Sequence, residues 1–200
     1  MKNKQYFKTL ILFVFGMIFF VNSSHAMNCF EKSPNYKDLE DEYFNIEKTR
    51  EFSDKEKDLL NDVLKKAEGK WKGFSKEINC KGSDKHPRQE IKKADLIAQT
   101  RYMSSGDLSI QLEKYFSEDK IRKIQTINLF KGVRVFEFNF KGESGFTFSE
   151  RYRRMIANGK TRLVEIIRDI EIKEKRLVLK TAVFVNGVYV SEEIFTLSAI

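Results

Sequence analysis

Few residues in this chain have the types and spacing that catalysis or metal binding requires. The sequence has two histidines, and His86 is the one that lies outside the leader segment described below. It stands beside Pro87 in a polar stretch, so a Ser-His-Asp or Cys-His arrangement would depend on a single loop residue. No two His or Cys residues stand at metal-ligand spacing, and a glycosidase-type carboxylate pair cannot be located. The sequence favours a non-enzyme without a metal or cofactor.

Phenylalanines form the clearest pattern of binding-type residues. Phe136, Phe138 and Phe140 alternate along one stretch, and Phe146 and Phe148 alternate along the next, beyond a glycine turn. Alternate side chains of a strand share one face, so the two aromatic faces should meet. Two interpretations are open: a packed aromatic core, or the wall of a cavity that binds a hydrophobic ligand.

Charged residues extend the same inward phase. Continuing from Phe146 places Glu150, Tyr152 and Arg154 on the aromatic face, and Arg168 shares a face with the aliphatic residues of its own stretch. Inward charges are costly unless they are paired or lie near an open mouth. The group either fixes the anionic head of a ligand or forms an ion-pair network without a ligand, and a bulge would turn it outward.

Residues 1–26 have the features of a signal peptide. Three lysines precede an apolar run at 10–21, and Ser24 and Ala26 fit the −3 and −1 positions of a cleavage site. The run is shorter than the roughly 20 residues that span a bilayer. We therefore expect cleavage near Ala26, in preference to an uncleaved anchor, and a secreted or periplasmic mature chain. Cleavage would lower the formal net charge from +8 to about +5.

The remaining basic residues are interleaved with acidic ones along the whole chain. A nucleic-acid-binding protein more often gathers them into one stripe. We expect a solvated surface with no nucleic-acid partner, and peripheral contact with anionic lipid headgroups at most.

Cys29 and Cys80 are the two cysteines of the chain. An even number in an exported protein suggests a disulfide, with two free thiols as the alternative. Closing this loop of about fifty residues would stabilise the fold by about 4 kcal/mol in the chain-entropy model.

The mature chain divides into an arm at 27–52 and a main domain at 53–200. In the arm, Leu39, Tyr43 and Ile46 have the spacing of a short helix. The main domain begins with a capping box, Ser53-x-x-Glu56. The helix that follows should end at Gly69, and its apolar face consists of Leu60, Val63, Leu64 and Ala67.

Beyond Gly69 the hydrophobic period changes from 3.6 to 2, which predicts about nine strands. The first should span 71–80 and be followed by a loop at 81–89. Asn158-Gly159 and Asn186-Gly187 are strong signals for hairpin turns. Short connections require antiparallel pairing. We expect a mainly β fold, one or two helices followed by a meander of eight or nine strands that closes into a barrel and so removes its edges.

The chain resembles the lipocalin-like (calycin) barrels over roughly 53–200. The resemblance depends on three features in order: the helix, Gly69-x-Trp71 at the head of the first strand, and the run of antiparallel strands. In that family the tryptophan plugs the closed end of the barrel, usually beneath an Arg or Lys from a late strand. The resemblance implies that Trp71 has this structural role, with Lys175 or Arg176 as the cation. It also implies an interior that binds a hydrophobic or amphipathic small molecule.

Two functions remain open. In the first, an exported barrel protein binds a lipid-like molecule; Phe136, Phe138, Phe140, Phe146, Phe148 and Tyr152 line the site, and Arg154 or Arg168 binds an anionic head. In the second, the barrel core is solid, and the outer surface with the 27–52 arm docks on a protein partner of the cell envelope.

Overall fold

The computed structural model describes residues 27–36, 50–117, 121–157 and 159–200. Three predicted features lie outside the described residues: the signal peptide predicted at 1–26, the helix predicted in the arm from Leu39, Tyr43 and Ile46, and the turn residue Asn158. In the part of the chain that is described, no helix is both long and apolar enough to cross a membrane.

One helix and nine strands make up the described ranges after residue 53. Helix α1 covers Asp54–Lys66. The strands are β1 Gly69–Ser83, β2 His86–Met103, β3 Asp107–Phe116, β4 Ile121–Asn128, β5 Val135–Phe140, β6 Gly145–Met155, β7 Thr161–Lys173, β8 Arg176–Val185 and β9 Val188–Ala199.

All nine strands belong to one sheet in the order β4-β3-β2-β1-β9-β8-β7-β6-β5. Every ladder is antiparallel. The predicted mainly β, antiparallel meander is confirmed. Asn186 and Gly187 both have positive φ, at 51° and 77°, as a two-residue hairpin turn requires.

The prediction of a closed barrel is wrong, because β4 and β5 are the two edges of the sheet that the described residues form. The reason is the direction of the strands. β1 and β9 are antiparallel, which is impossible if all connections of a nine-stranded meander reverse the chain. The one connection that does not reverse the direction of the chain joins β4 to β5, so these two strands are parallel to each other. Parallel pairing needs a crossover of about a dozen residues or more, and only residues 129–134 are available.

The prediction of a loop at 81–89 is also wrong. β1 continues to Ser83, β2 begins at His86, and these two residues face each other across the turn. Side chains on both faces of this hairpin are exposed. The alternation of apolar and polar residues that identifies a strand is therefore absent from this part of the sequence, although the backbone pairing of the two strands continues.

Helix α1 begins with the predicted capping box, in which Ser53 Oγ accepts from the Glu56 N–H and the Glu56 side chain accepts from the Ser53 N–H. It ends at Lys66 with Ala67 as the cap, before the predicted Gly69. Gly69 instead starts β1 at φ 149°, a conformation that other residues rarely adopt. The predicted apolar face of α1 is buried, and its residues join the main core.

The sheet has an inner and an outer face and two ends. The inner face packs against α1 and contains residues in phase with Trp71. We call the end with α1 and the start of β1 the helix end. The turns between β1 and β2, β6 and β7, and β8 and β9 lie at the opposite, open end, because β1 runs away from α1 and its neighbours alternate in direction.

Candidate functional site

The helix-end half of the inner face is filled by aromatic rings. Phe138, Phe146 and Phe148 are buried. The ring centroids of Phe138 and Phe146 are 5.2 Å apart, and those of Phe130 and Phe148 are 4.8 Å apart. Phe52 packs edge-on against Phe138 at 4.9 Å. These spacings are those of directly packed rings, so this half is a solid core.

Phe136 does not join this core. A register shift between Val135 and Glu137 marks a bulge in β5, and a bulge turns the side chains beyond it to the other face. The Phe136 ring lies 3.8 Å from the guanidinium carbon of Arg151 on the outer face. Phe140 stays half-buried, 4.7 Å from the Phe138 ring. The predicted alternation of all three β5 phenylalanines on one face is therefore wrong for Phe136.

Trp71 closes the helix end. Its indole Nε1 donates to Ala67 O at 3.1 Å and to Thr100 Oγ1 at 2.9 Å, which joins the end of α1 to β1 and β2. Within the described ranges, neither Lys175 nor Arg176 has a cation–π contact with this ring.

Of the predicted polar residues, two are brought together. Arg168 donates to Glu150, and its guanidinium carbon lies 5.6 Å from the Phe148 ring centroid. Tyr152 and Arg154 keep the inward phase but lie near the end of the β6–β7 hairpin, where both are exposed. Arg154 is therefore separate from the Glu150–Arg168 ion pair.

Lys114 lies at the centre of the open-end half of the inner face. Lys114 is only 3% exposed. Its Nζ donates to Glu77 Oε1 at 3.3 Å and to Glu193 Oε1, and lies 5.0 Å from the Phe195 ring centroid. Side chains from β3, β1 and β9 thus hold one buried cation between two carboxylates, and the Lys114 side chain reaches across β2 to do so.

A cavity of about 280 Å³ opens around this cluster. Its lining residues are mostly polar and come from β1, β3, β4, β8 and β9. The lining residues are Glu77, Asn79, Lys114, Gln125, Thr181, Val183, Ser191, Glu192 and Glu193.

Burial governs the electrostatics of the cavity. It raises the pKa of Glu193 above its ordinary value, and the hydrogen bond from Lys114 acts in the opposite direction. On the outer face of the same strand, burial also raises the pKa of Glu192, against the opposing charges of Lys180 and Lys76. Burial thus disfavours the ionised form of these carboxylates, and a charged carboxylate is stable there only while its cationic partner stays in position.

The sequence already contained a signal for Lys114 that the predicted site lacks. Lys114 has the inward phase of Leu108, Ile110 and Leu112, and an inward lysine needs a carboxylate partner. The partners could not be identified in advance, because Glu77 and Glu193 come from distant parts of the chain.

A second polar cluster lies on the outer face around Glu165, which is fully buried. Its carboxylate accepts from Arg151 Nε at 2.9 Å, from Asn35 Nδ2 at 3.1 Å and from Ser33 Oγ. The segment 28–36 covers it and hydrogen-bonds to the start of β9, with Tyr189 N donating to Glu31 O at 2.8 Å.

The predicted disulfide fixes the same segment. Cys29 and Cys80 are bonded, with Cα atoms 5.5 Å apart. The segment 28–36 is thus attached both to β1 and to the outer face beside β9. We call it the clasp.

A third feature is a shallow groove of about 510 Å³ on the outer face of β1, β2, β3 and β9. Phe74, Ile97 and Tyr115 line it and are about half exposed. Lys72, Asp95 and Glu113 stand among them.

His86 is exposed at the tip of the β1–β2 hairpin. In the described ranges, no group of three or more His, Cys, Asp or Glu side chains is arranged to hold a metal ion. No known family model and no curated protein matched this chain.

Proposed function

We propose that this protein is a secreted or periplasmic binding protein that takes one small polar or amphipathic molecule on its inner face, at the open end. The observation that supports this most is the cavity around Lys114. A buried cation and several hydrogen-bonding groups line a space, whereas the aromatic half beside it has packed rings. Sites of this kind, with a few directed polar groups in a concavity, are typical of small-ligand binding.

The lining determines the chemistry of the ligand. Thr181, Ser191 and Asn79 offer hydroxyl and amide groups, so a ligand with hydroxyl, amide or charged groups is favoured over a plain hydrocarbon. The apolar part of an amphipathic ligand would lie against Val183. The long aliphatic tail of a lipid fits poorly, because the aromatic half is occupied by Phe138, Phe146 and neighbouring rings.

Two further observations support the broader setting. The disulfide between Cys29 and Cys80 suits an oxidising compartment outside the cytosol. Gly69-x-Trp71 at the head of β1, with Trp71 buried over the end of α1, supports a distant relation to the lipocalin-like barrels. Fold likeness alone is a weak guide to function, so the proposal depends on the cavity.

The proposal is tested by screening a library of small polar and amphipathic fragments by saturation-transfer difference NMR. Thr181→Val keeps the side-chain shape and removes a hydroxyl from the cavity. Thr196→Val is the same change in the outer groove, on neighbouring strand β9. We expect fragments that bind the natural chain to lose signal with Thr181→Val and to keep it with Thr196→Val.

Two results would contradict the proposal. One is that no fragment binds. The other is that binding depends on Thr196 and not on Thr181, which would move the ligand to the outer groove.

The outer groove favours a second function, that of a protein-interaction module. Half-exposed Phe74, Ile97 and Tyr115 lie near one another on the successive strands β1, β2 and β3, with charged residues between them, and exposed apolar groups with polar surroundings are often interaction sites. Phe74→Ser with Ile97→Ser should then abolish capture of a partner from envelope extracts, and Thr181→Val should not.

A further inference from the structure

The outer end of the β6–β7 hairpin has an unusual composition. Residues 152–162 include four basic residues and no acidic residue. The β1–β2 hairpin at the same end of the sheet is different, because Glu90 lies between Lys81 and Lys92 and pairs with both. The β6–β7 end is therefore the strongly cationic one of these two hairpins.

Two of these cations face each other. Arg154 of β6 is the direct cross-strand partner of Arg162 of β7, and both are exposed. Like charges directly opposite each other on neighbouring strands are unfavourable. An anion between the two guanidinium groups would remove this repulsion, and guanidinium groups suit phosphate oxygens well.

Apolar side chains stand beside the arginines. Met155 is 73% exposed and Tyr152 is 42% exposed. A soluble phosphate would gain nothing from them, whereas a membrane surface offers both anionic headgroups and an apolar layer beneath. Tyrosine in particular favours the interface between headgroups and water.

The base of the hairpin is rigidly held. Arg151 pairs with Glu165 on the outer face, and Arg168 pairs with Glu150 on the inner face. Both ion pairs join β6 to β7, one from each side of the sheet. The exposed end beyond them is thus presented as a fixed surface.

We propose that the end of the β6–β7 hairpin docks on an anionic membrane surface. Arg154 and Arg162 bind lipid phosphates there, and Met155 and Tyr152 enter the interface. Because the polar cavity opens at the same end of the sheet, docking would bring it toward the membrane. The membrane contact does not depend on the cavity binding a ligand.

Cosedimentation of the full chain with lipid vesicles tests the proposal. Vesicles of phosphatidylcholine alone are compared with vesicles that contain an equal part of phosphatidylglycerol. We expect binding to the anionic vesicles only, reduced about fivefold for each arginine removed in Arg154→Ser and Arg162→Ser. Met155→Ser should weaken it further.

The matched control is Lys55→Ser with Lys57→Ser, which removes the same charge from α1 at the opposite end. It should leave vesicle binding within about twofold of the natural chain, since distant charges are screened. Equal losses in the control and in the arginine double variant would overturn the proposal, because they would show attraction by net charge alone.

Inorganic phosphate separates a membrane site from a simple anion site. If phosphate protects Arg154 and Arg162 against chemical modification and competes fully with vesicles, while Met155→Ser has no effect, the hairpin binds free anions and the membrane proposal fails. Circular dichroism of every variant checks that the sheet is intact.

Discussion

β1 and β9 run through both halves of the inner face, and the two halves differ in almost everything else. β1 contributes Trp71 to the helix-end half and Glu77 to the open-end half, and β9 contributes Leu197 and Glu193 in the same way. Each strand keeps its alternation while its inward residues change from apolar to charged. The difference suggests that one half stabilises the sheet and the other is available for binding.

The energetics of the two halves differ accordingly. In the apolar half, each large buried side chain adds about 1.5 to 3 kcal/mol through removal from water. In the polar half, each buried charge first costs free energy and is tolerable only with its partner. Substitutions should therefore act through lost packing in one half and through unpaired charge in the other.

The largest expected effect is in the apolar half. Phe146→Ala removes a fully buried ring that packs on Phe138 and Phe130. It should lower the free energy of unfolding by about 4 kcal/mol, as measured by urea denaturation. Phe74→Ala is the same change on the outer face, where the ring is half exposed, and should cost about 1 kcal/mol or less. Equal losses in the two variants would remove the distinction between core and surface.

A smaller effect is expected in the polar half. Lys114→Met keeps most of the side-chain volume and removes the cation between Glu77 and Glu193. It should destabilise the fold by about 2 to 3 kcal/mol, less than for a fully buried pair because the carboxylates keep some contact with water. Urea denaturation measures the loss.

A double variant tests whether the loss comes from unpaired charge. Adding Glu193→Gln to Lys114→Met removes one of the two orphaned charges and should recover part of the lost stability. No loss with Lys114→Met alone would mean that the polar half tolerates any side chain of the right size, and its charges would then need no structural explanation.

Much of the architecture was predictable from local patterns. The change of period after Gly69, the capping box at Ser53 and the two cysteines predicted the strands, helix α1 and the disulfide. The open edges of the sheet were not predictable in this way, because they depend on the pairing of β1 with β9 and on the direction of β5. The bulge that turns Phe136 outward likewise has no local signal in the sequence.

The clasp shows a second limit. Alternation places Arg151 and Glu165 on the outer face, where charged residues are expected, and they do lie there. What buries them is the segment 28–36, far away in the chain. Burial created by a covering segment cannot be obtained from the period of the covered strand.

The smallest expected effect concerns pH and again separates packing from charge. Burial raises the pKa of Glu192 in the folded chain above its ordinary value of 4.5. The folded state then holds this proton more tightly than the unfolded state, so the contribution of Glu192 to stability falls as the pH rises from the ordinary value through the raised one. Glu192→Gln cannot ionise, and should raise the melting temperature at neutral pH but not well below pH 4.5.

Glu171 provides a control of opposite sign. A hydrogen bond from Lys173 lowers the pKa of Glu171, so its contribution is present at neutral pH and is lost as the pH falls through the lowered value. Glu171→Gln should therefore slightly lower the melting temperature at neutral pH, by little because the pair is exposed to solvent. If Glu192→Gln behaved like Glu171→Gln, the charges of Lys180 and Lys76 would outweigh burial at Glu192.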